Sequence, residues 1–194
     1  MNEYDSIEKI IELLKRVDGI SKKQAERILS WVIQSDIKDV ETLLNSIKTL
    51  KNEVKECKRC GNLTASGVCN ICLDEDRDNV LLVVEHFNII KKMEKEEIYN
   101  GKYFVFKELL NIKNFNEKIE KYAYELAEYG KNFEEVILAI SPTLEGAITN
   151  EYLKKYLTSK KINATSISIG VPVGASLDYI DKITIKQSIE NRRK

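Results

Sequence analysis

Four cysteines, all of them between Cys57 and Cys72, constrain this 194-residue chain more than any other feature. They fall as Cys57-x2-Cys60 and Cys69-x2-Cys72, with eight residues between the pairs. Each Cys-x-x-Cys pair delivers two thiolates to one metal, and two pairs complete a tetrahedral all-sulfur site. A soft, closed donor set favours zinc and leaves no position open for a reactive water. A redox dithiol needs one pair and leaves the second unexplained. Disulfide frameworks belong to oxidising compartments and scatter their cysteines. The spacing therefore predicts one structural zinc per chain, in a segment too short to fold without it. Asp74, Glu75, Asp76 and Asp78 follow at once and outweigh Lys58, Arg59 and Arg77. By charge, the module is a staple rather than a DNA-reading finger.

The texture of the chain changes at the cysteines. Before them the pattern is helical. Asp5 and Glu8 form a capping box for a first helix, on which Ile7, Ile10, Ile11, Leu14 and Val17 share a face. That helix stops at Asp18-Gly19-Ile20, and a second box, Ser21 with Gln24, opens a helix burying Ala25, Ile28, Leu29 and Val32. A third amphipathic segment, Ile37 to Val54, carries Val40, Leu43, Leu44, Ile47 and Leu50. No strand pattern precedes the cysteines. After them, Val80–Val84, Tyr103–Phe106, Glu135–Ile140 and Ala164–Ile169 read as buried strands. Helical segments run from Phe115 to Tyr129, Ala147 to Leu157 and Ile180 to Ile189. Strands alternating with helices predict a mainly parallel α/β sheet. The fold class is thus an α+β chain of several parts: residues 1–56 helical, 57–72 the metal module, 79–169 an α/β body and 170–194 a C-terminal helical segment.

The charge balance narrows the functions open to it. Lys+Arg and Asp+Glu both number 31, which excludes a generally basic nucleic-acid coat. Any DNA or RNA contact must come from a local patch. The sequence has no signal core or spanning segment, and the expectation is a soluble intracellular protein. One local patch stands at the first helical turn. A glycine turn opening a helix presents backbone N–H groups to an anion. Gly19 supplies the turn, and Lys22, Lys23 and Arg27 surround it with positive charge suited to phosphates rather than base edges. This is the logic of a helix-hairpin-helix; an ordinary turn with solvated lysines has the same local pattern.

The body carries a second candidate site. Glu85 follows the Val80–Val84 strand, where open α/β sheets place functional groups. The strand ending at Ile140 leads into Ser141-Pro142-Thr143-Leu144-Glu145-Gly146. The arrangement resembles the Toprim domain, whose active members use a Glu and an Asp-x-Asp pair to bind magnesium for phosphoryl transfer. Ser141 and Thr143 stand at the two Asp positions, and neutral hydroxyls do not supply the missing charge. The expected body is a Toprim scaffold without catalysis. His86, the sole histidine, reads as a strand-end or cap residue, since no nucleophile motif accompanies it. Trp31, Tyr122, Tyr124 and Tyr129 read as packing, and Lys154-Lys155 and Lys160-Lys161 as a solvated helix end.

Taken in order, these parts resemble the RecR family of bacterial recombination mediators along essentially the whole chain. Beyond the cysteines, the resemblance rests on Val83-Val84-Glu85, Glu135 to Ala139 running into Pro142 to Gly146, and Gly170-Val171-Pro172-Val173-Gly174 with Leu177-Asp178-Tyr179 and Asp181. The last block looks like the family's Walker B-like segment, without a phosphate loop to make it an ATPase. The resemblance implies a non-enzymatic DNA-repair factor of the bacterial cytoplasm, associated with the nucleoid. It implies a ring-shaped tetramer, binding double- and single-stranded DNA without sequence specificity. With RecO and RecF, such proteins load RecA onto gaps coated by SSB. By position, Lys23 and Arg27 match DNA-contacting residues, Glu85 and Glu145 match acids on the surface that meets RecO, and the four cysteines match zinc ligands. Asp18 and Ser21 replace the usual Pro and second Gly of the hairpin, Ala147 replaces a usual acid, and Lys107 to Leu110 replace a Gly/Pro-rich loop. Two other readings remain: a magnesium-dependent Toprim nuclease or primase-like enzyme built on Glu85, Glu145 and Asp178, and a zinc-stapled adaptor that touches no nucleic acid.

Overall fold

The computed structural model describes residues 3–111 and 117–192. It divides into two compact units, Met1–Glu53 and Val54–Lys194. No helix among the described residues is long and apolar enough to cross a membrane.

The first unit holds α1 (Glu3–Leu14), α2 (Lys22–Gln34) and α3 (Ile37–Glu53). The Ser21–Gln24 box forms as expected: the Gln24 N–H donates to Ser21 Oγ at 3.3 Å, and the Ser21 N–H to Gln24 Oε1 at 2.7 Å. The Asp5–Glu8 box does not form, because α1 is already under way at Glu3 and Asp5 lies inside it. The helix also ends at Leu14, three residues short of Val17. Turns then carry the chain to Gly19, whose φ of +84° is the left-handed conformation a side chain disfavours. Ile11, Ala25 and Leu29 form the small core, with Ile7, Leu14 and Ile20 against it. Ile28 and Trp31 are exposed instead of packed, because three helices this short bury only one narrow seam. The stripe on α3 forms, yet Leu43, Leu44, Ile47 and Leu50 are all exposed and α3 has no buried residue.

The second unit opens with β1 (Lys55–Glu56) and β2 (Leu63–Thr64), an antiparallel pair. So a short strand does precede the first cysteine; two residues carry too little pattern to read. After α4 (Asn70–Leu73) come β3 (Val80–Val84), α5 (Phe87–Lys95), β4 (Lys102–Val105), α6 (Glu117–Gly130), β5 (Glu135–Leu138), α7 (Leu144–Ser159) and β6 (Ala164–Ser166). A 3-10 turn (Leu177–Tyr179) and α8 (Lys182–Glu190) finish the described chain. Phe115, the expected start of the helix realised as α6, lies outside the described residues. The helix α5 is an addition to the expected elements; His86 stands at its N-cap position, without a side-chain capping bond.

The four longer strands pair in the order β4-β3-β5-β6, all parallel. Burial on both faces explains why β3 is apolar at every position. Leu81 and Val83 face a core shared with Ile119, Leu126, Leu153 and Leu157 of α6 and α7. Leu82 and Val84 face the opposite layer, with Ile90 of α5 and Tyr103. Tyr124 of α6, expected to pack, points to solvent. The link from the metal module into β3 is fixed by Arg77, which bonds the Glu94 carboxylate through two nitrogens and Asp74 through a third. Tyr103 also donates to Glu94, at 2.7 Å. The Arg77 guanidinium, with the Tyr103 hydroxyl, holds Glu94 below the ordinary carboxylate range. This pairing is complete above the unfolded value near 4.5 and is lost as pH falls through the lower folded value. Glu94→Gln is expected to cost about 1–2 kcal/mol in denaturant unfolding at neutral pH, the scale of a charged hydrogen bond. The difference from the parent should shrink in acid.

Candidate metal centre and phosphate-binding hairpin

The metal centre is assembled from two tight turns. Gly61 and Gly67 take φ of +76° and +81°, letting the chain double back after each strand of the β1–β2 pair. The Cys57 N–H closes on the Asn62 carbonyl at 2.6 Å, and Cys72 is delivered by the short helix α4. All four cysteines are buried, and their Sγ atoms lie within 4.8 Å of one another. Cys57 to Cys72 is 3.8 Å and Cys60 to Cys69 is 3.6 Å. A tetrahedron with zinc–sulfur bonds of ~2.3 Å has sulfur–sulfur edges of about 3.8 Å. A disulfide would bring one pair to ~2.05 Å. The donor set therefore fits zinc, as the spacing predicted. Backbone N–H groups of Asn62 and Cys69 point at the sulfurs of Cys60 and Cys57, at 3.5 and 3.3 Å, as donors to a thiolate should.

The module is joined to the α/β body at several points. The Val105 N–H of β4 donates to the Cys60 carbonyl at 2.7 Å. Arg59 and Lys102 both reach the Cys72 carbonyl, at 3.2 and 3.5 Å. Lys107 pairs with Glu56 and lies 5.8 Å from the centre of the Tyr122 ring. Lys107, in the segment expected to replace a Gly/Pro-rich loop, thereby anchors that segment to the module. The Tyr129 hydroxyl of α6 stands 3.6 Å from Cys72 Sγ. No local pattern marks Tyr129; it is 57 residues away in sequence.

Among the described residues, the carboxylates Glu85, Glu145 and Asp178 do not converge on one point. Glu85 is buried, and its Oε1 accepts the Ser141 N–H at 2.5 Å, tying the C-terminal ends of β3 and β5 together. Thr143 caps α7, its Oγ1 accepting the Gly146 N–H at 3.1 Å. Glu145 is exposed in the first turn of that helix, where the helix dipole favours a negative charge. Asp178 sits in the exposed 3-10 turn. Among the described residues, the cysteines are the one group of three or more metal-binding side chains that converges. Ser141 and Thr143, expected at the two acid positions, hold the loop through the Ser141 N–H and the Thr143 hydroxyl. In the first unit, Lys22, Lys23 and Arg27 are all exposed along α2 from the Gly19 turn. Lys22 has Glu26 at 4.0 Å; neither Lys23 nor Arg27 has an ion-pair partner among the described residues.

Comparison with known proteins settles the family. Residues 54–74 match the family model for the four-cysteine zinc finger domain of RecR; 79–168 match the Toprim domain and 170–193 match RecR, C-terminal. The Recombination protein RecR of Mycoplasmopsis pulmonis is 40% identical over 193 residues, which is 99% of both chains. The chain belongs to the RecR family. Recombination protein RecR of Finegoldia magna is 35% identical over 97% of this chain and 96% of its own. That of Koribacter versatilis is 32% identical over 95% and 94%. As a RecR-type recombination protein, the chain carries a four-cysteine zinc finger with one structural zinc and a Toprim domain with a parallel sheet.

Proposed function

We propose that this RecR chain is a non-catalytic DNA-binding mediator of recombinational repair. It works as an oligomeric clamp that, with RecO and RecF, helps to load RecA on SSB-coated gaps. The observation that carries the non-catalytic reading is the Ser141 N–H on Glu85. Glu85, the acid that follows β3, is turned inward as a structural acceptor, and the two neighbouring acid positions are hydroxyls. A magnesium ion needs several hard oxygens converging on it.

The DNA grip is assigned to Gly19, Lys22, Lys23 and Arg27. The capping box satisfies Ser21 and Gln24 mutually, which leaves the Lys22 and Lys23 N–H groups at the helix start for a phosphate. One such grip is weak, and a neutral chain adds no general attraction. Several hairpins in one assembly supply the missing affinity through effective concentration. Self-association has apolar surface to use: Leu43, Leu44, Ile47 and Leu50 on α3, and in the C-terminal segment Val173, Tyr179 and Ile183 are exposed. A ring tetramer is the assembly proposed. Glu85 and Glu145 are the acids assigned to the RecO surface, Glu145 exposed at the start of α7 and Glu85 buried against the Ser141 N–H.

Two measurements test this. Lys23→Glu with Arg27→Glu should weaken retention of double- and single-stranded DNA at least tenfold at low salt, and reduce the salt dependence. Wild-type binding by that double variant overturns the hairpin assignment. Labelled DNA incubated with the protein and Mg²⁺ or Mn²⁺ should stay uncut. Cleavage that Glu85→Gln abolishes would instead establish a Toprim nuclease.

A further inference from the structure

We infer that Tyr129 is an outer-shell donor to the zinc–thiolate centre, bonding the Cys72 sulfur and so fastening the metal module to α6. The two atoms are 3.6 Å apart, within reach of an O–H···S hydrogen bond. Either atom could donate in a free thiol, but a zinc-bound cysteine is a thiolate and only accepts. The metal therefore fixes the direction: the tyrosine O–H points at sulfur.

The surroundings hold the hydroxyl in place. Tyr129 packs against the four-cysteine cluster, and its ring lies 5.1 Å from Phe133 and 6.3 Å from Phe104. It also packs against the main core of the body. One side chain thus belongs to both clusters. The donor answers a charge problem as well. Four thiolates on one zinc leave an anionic centre, and donors aimed at the sulfurs disperse that charge and reduce their reactivity. Backbone N–H groups do this for Cys57 and Cys60. At Cys72, Arg59 and Lys102 hold the carbonyl, and the sulfur is met by a side chain from the body. Retention of the metal is consequently linked to α6, an element the cysteine spacing does not include.

The test is Tyr129→Phe, which keeps the ring and its packing and removes only the donor. Outer-shell partners are typically worth about 10–100-fold in metal affinity. Zinc transfer from the full chain to a chromogenic chelator should speed up about tenfold. In the cobalt-loaded protein the sulfur-to-metal charge-transfer band should move to lower energy, because an undonated thiolate gives up its electrons more readily. Cys72→His keeps four ligands but removes the thiolate acceptor, so adding Tyr129→Phe to it should then change nothing further. Phe133→Leu, which loosens the same packing without a polar atom, should leave the cobalt band in place. If Tyr129→Phe releases zinc at the wild-type rate, the inference is wrong. It is equally wrong if release quickens while the cobalt band stays put, since packing alone would then account for the effect.

Discussion

Replacing Cys60 by serine is expected to abolish zinc binding and unfold the metal module, the largest single effect available in this chain. A serine hydroxyl is not ionised at neutral pH and is no substitute for a thiolate. The turns at Gly61 and Gly67 and the two-residue strands bury almost nothing besides the cysteines and their neighbours Val68, Ile71 and Tyr129. The folding free energy of this segment is therefore the metal's, about 10–16 kcal/mol of apparent binding in comparable zinc modules. The damage should spread, because the Cys60 carbonyl accepts the Val105 N–H of β4 and Tyr129 reaches Cys72 from α6. Metal analysis should fall from one zinc per chain to none, and the thermal midpoint should drop by roughly 10 °C or more, a scale of several kcal/mol for a chain this size. Acid should reproduce the loss in the wild-type protein. Cysteines ligate zinc as thiolates, so the metal must displace their protons. Binding releases protons, and affinity falls as pH falls. A Cys60→Ser protein that keeps one zinc and the wild-type midpoint would show the centre to be dispensable.

Gly146→Ala should destabilise by about 3 kcal/mol, at the upper end for overpacking a close contact. Helix propensity alone gives the opposite sign, since alanine is favoured over glycine by roughly 1 kcal/mol inside a helix. Geometry decides between them. A Cβ at position 146 would fall 2.0 Å from the Ser141 carbonyl oxygen and 3.2 Å from Ile140 Cγ2. The first obstacle is backbone and has no rotamer to escape into. The start of α7 would have to lift off, breaking the Thr143 cap and disturbing the Ser141 bond to Glu85. At ~2–4 °C per kcal/mol, the midpoint should fall by roughly 6–12 °C. A gain in stability would mean that the loop relaxes freely and that Glu85 is not held by it.

Much of this is legible along the chain. The cysteine spacing carries its own geometry, because two ligands two residues apart from each of two turns already make a tetrahedron. Continuous apolar runs in β3 and β5 announce strands covered on both faces, and the Ser21–Gln24 box announces a helix start. Local chemistry suffices in each case. The failures are local as well: Asp5 could cap a helix but sits inside one, because the neighbouring residues continue the helix past it to Glu3. Trp31 and the α3 leucines look like core by periodicity, but a period says which residues share a face and not what covers it.

From its sequence alone this chain determined a zinc-binding module of four cysteines, a parallel α/β body and a helical hairpin ringed with cations, because each depends on residues close together along the backbone. The tertiary structure alone decided that Glu85 is spent on the Ser141 N–H, that Gly146 must lack a side chain, and that Tyr129 stands on the zinc ligand Cys72. Those contacts join residues 56, five and 57 positions apart in space that only the folded sheet and its helices define, and no periodicity records them.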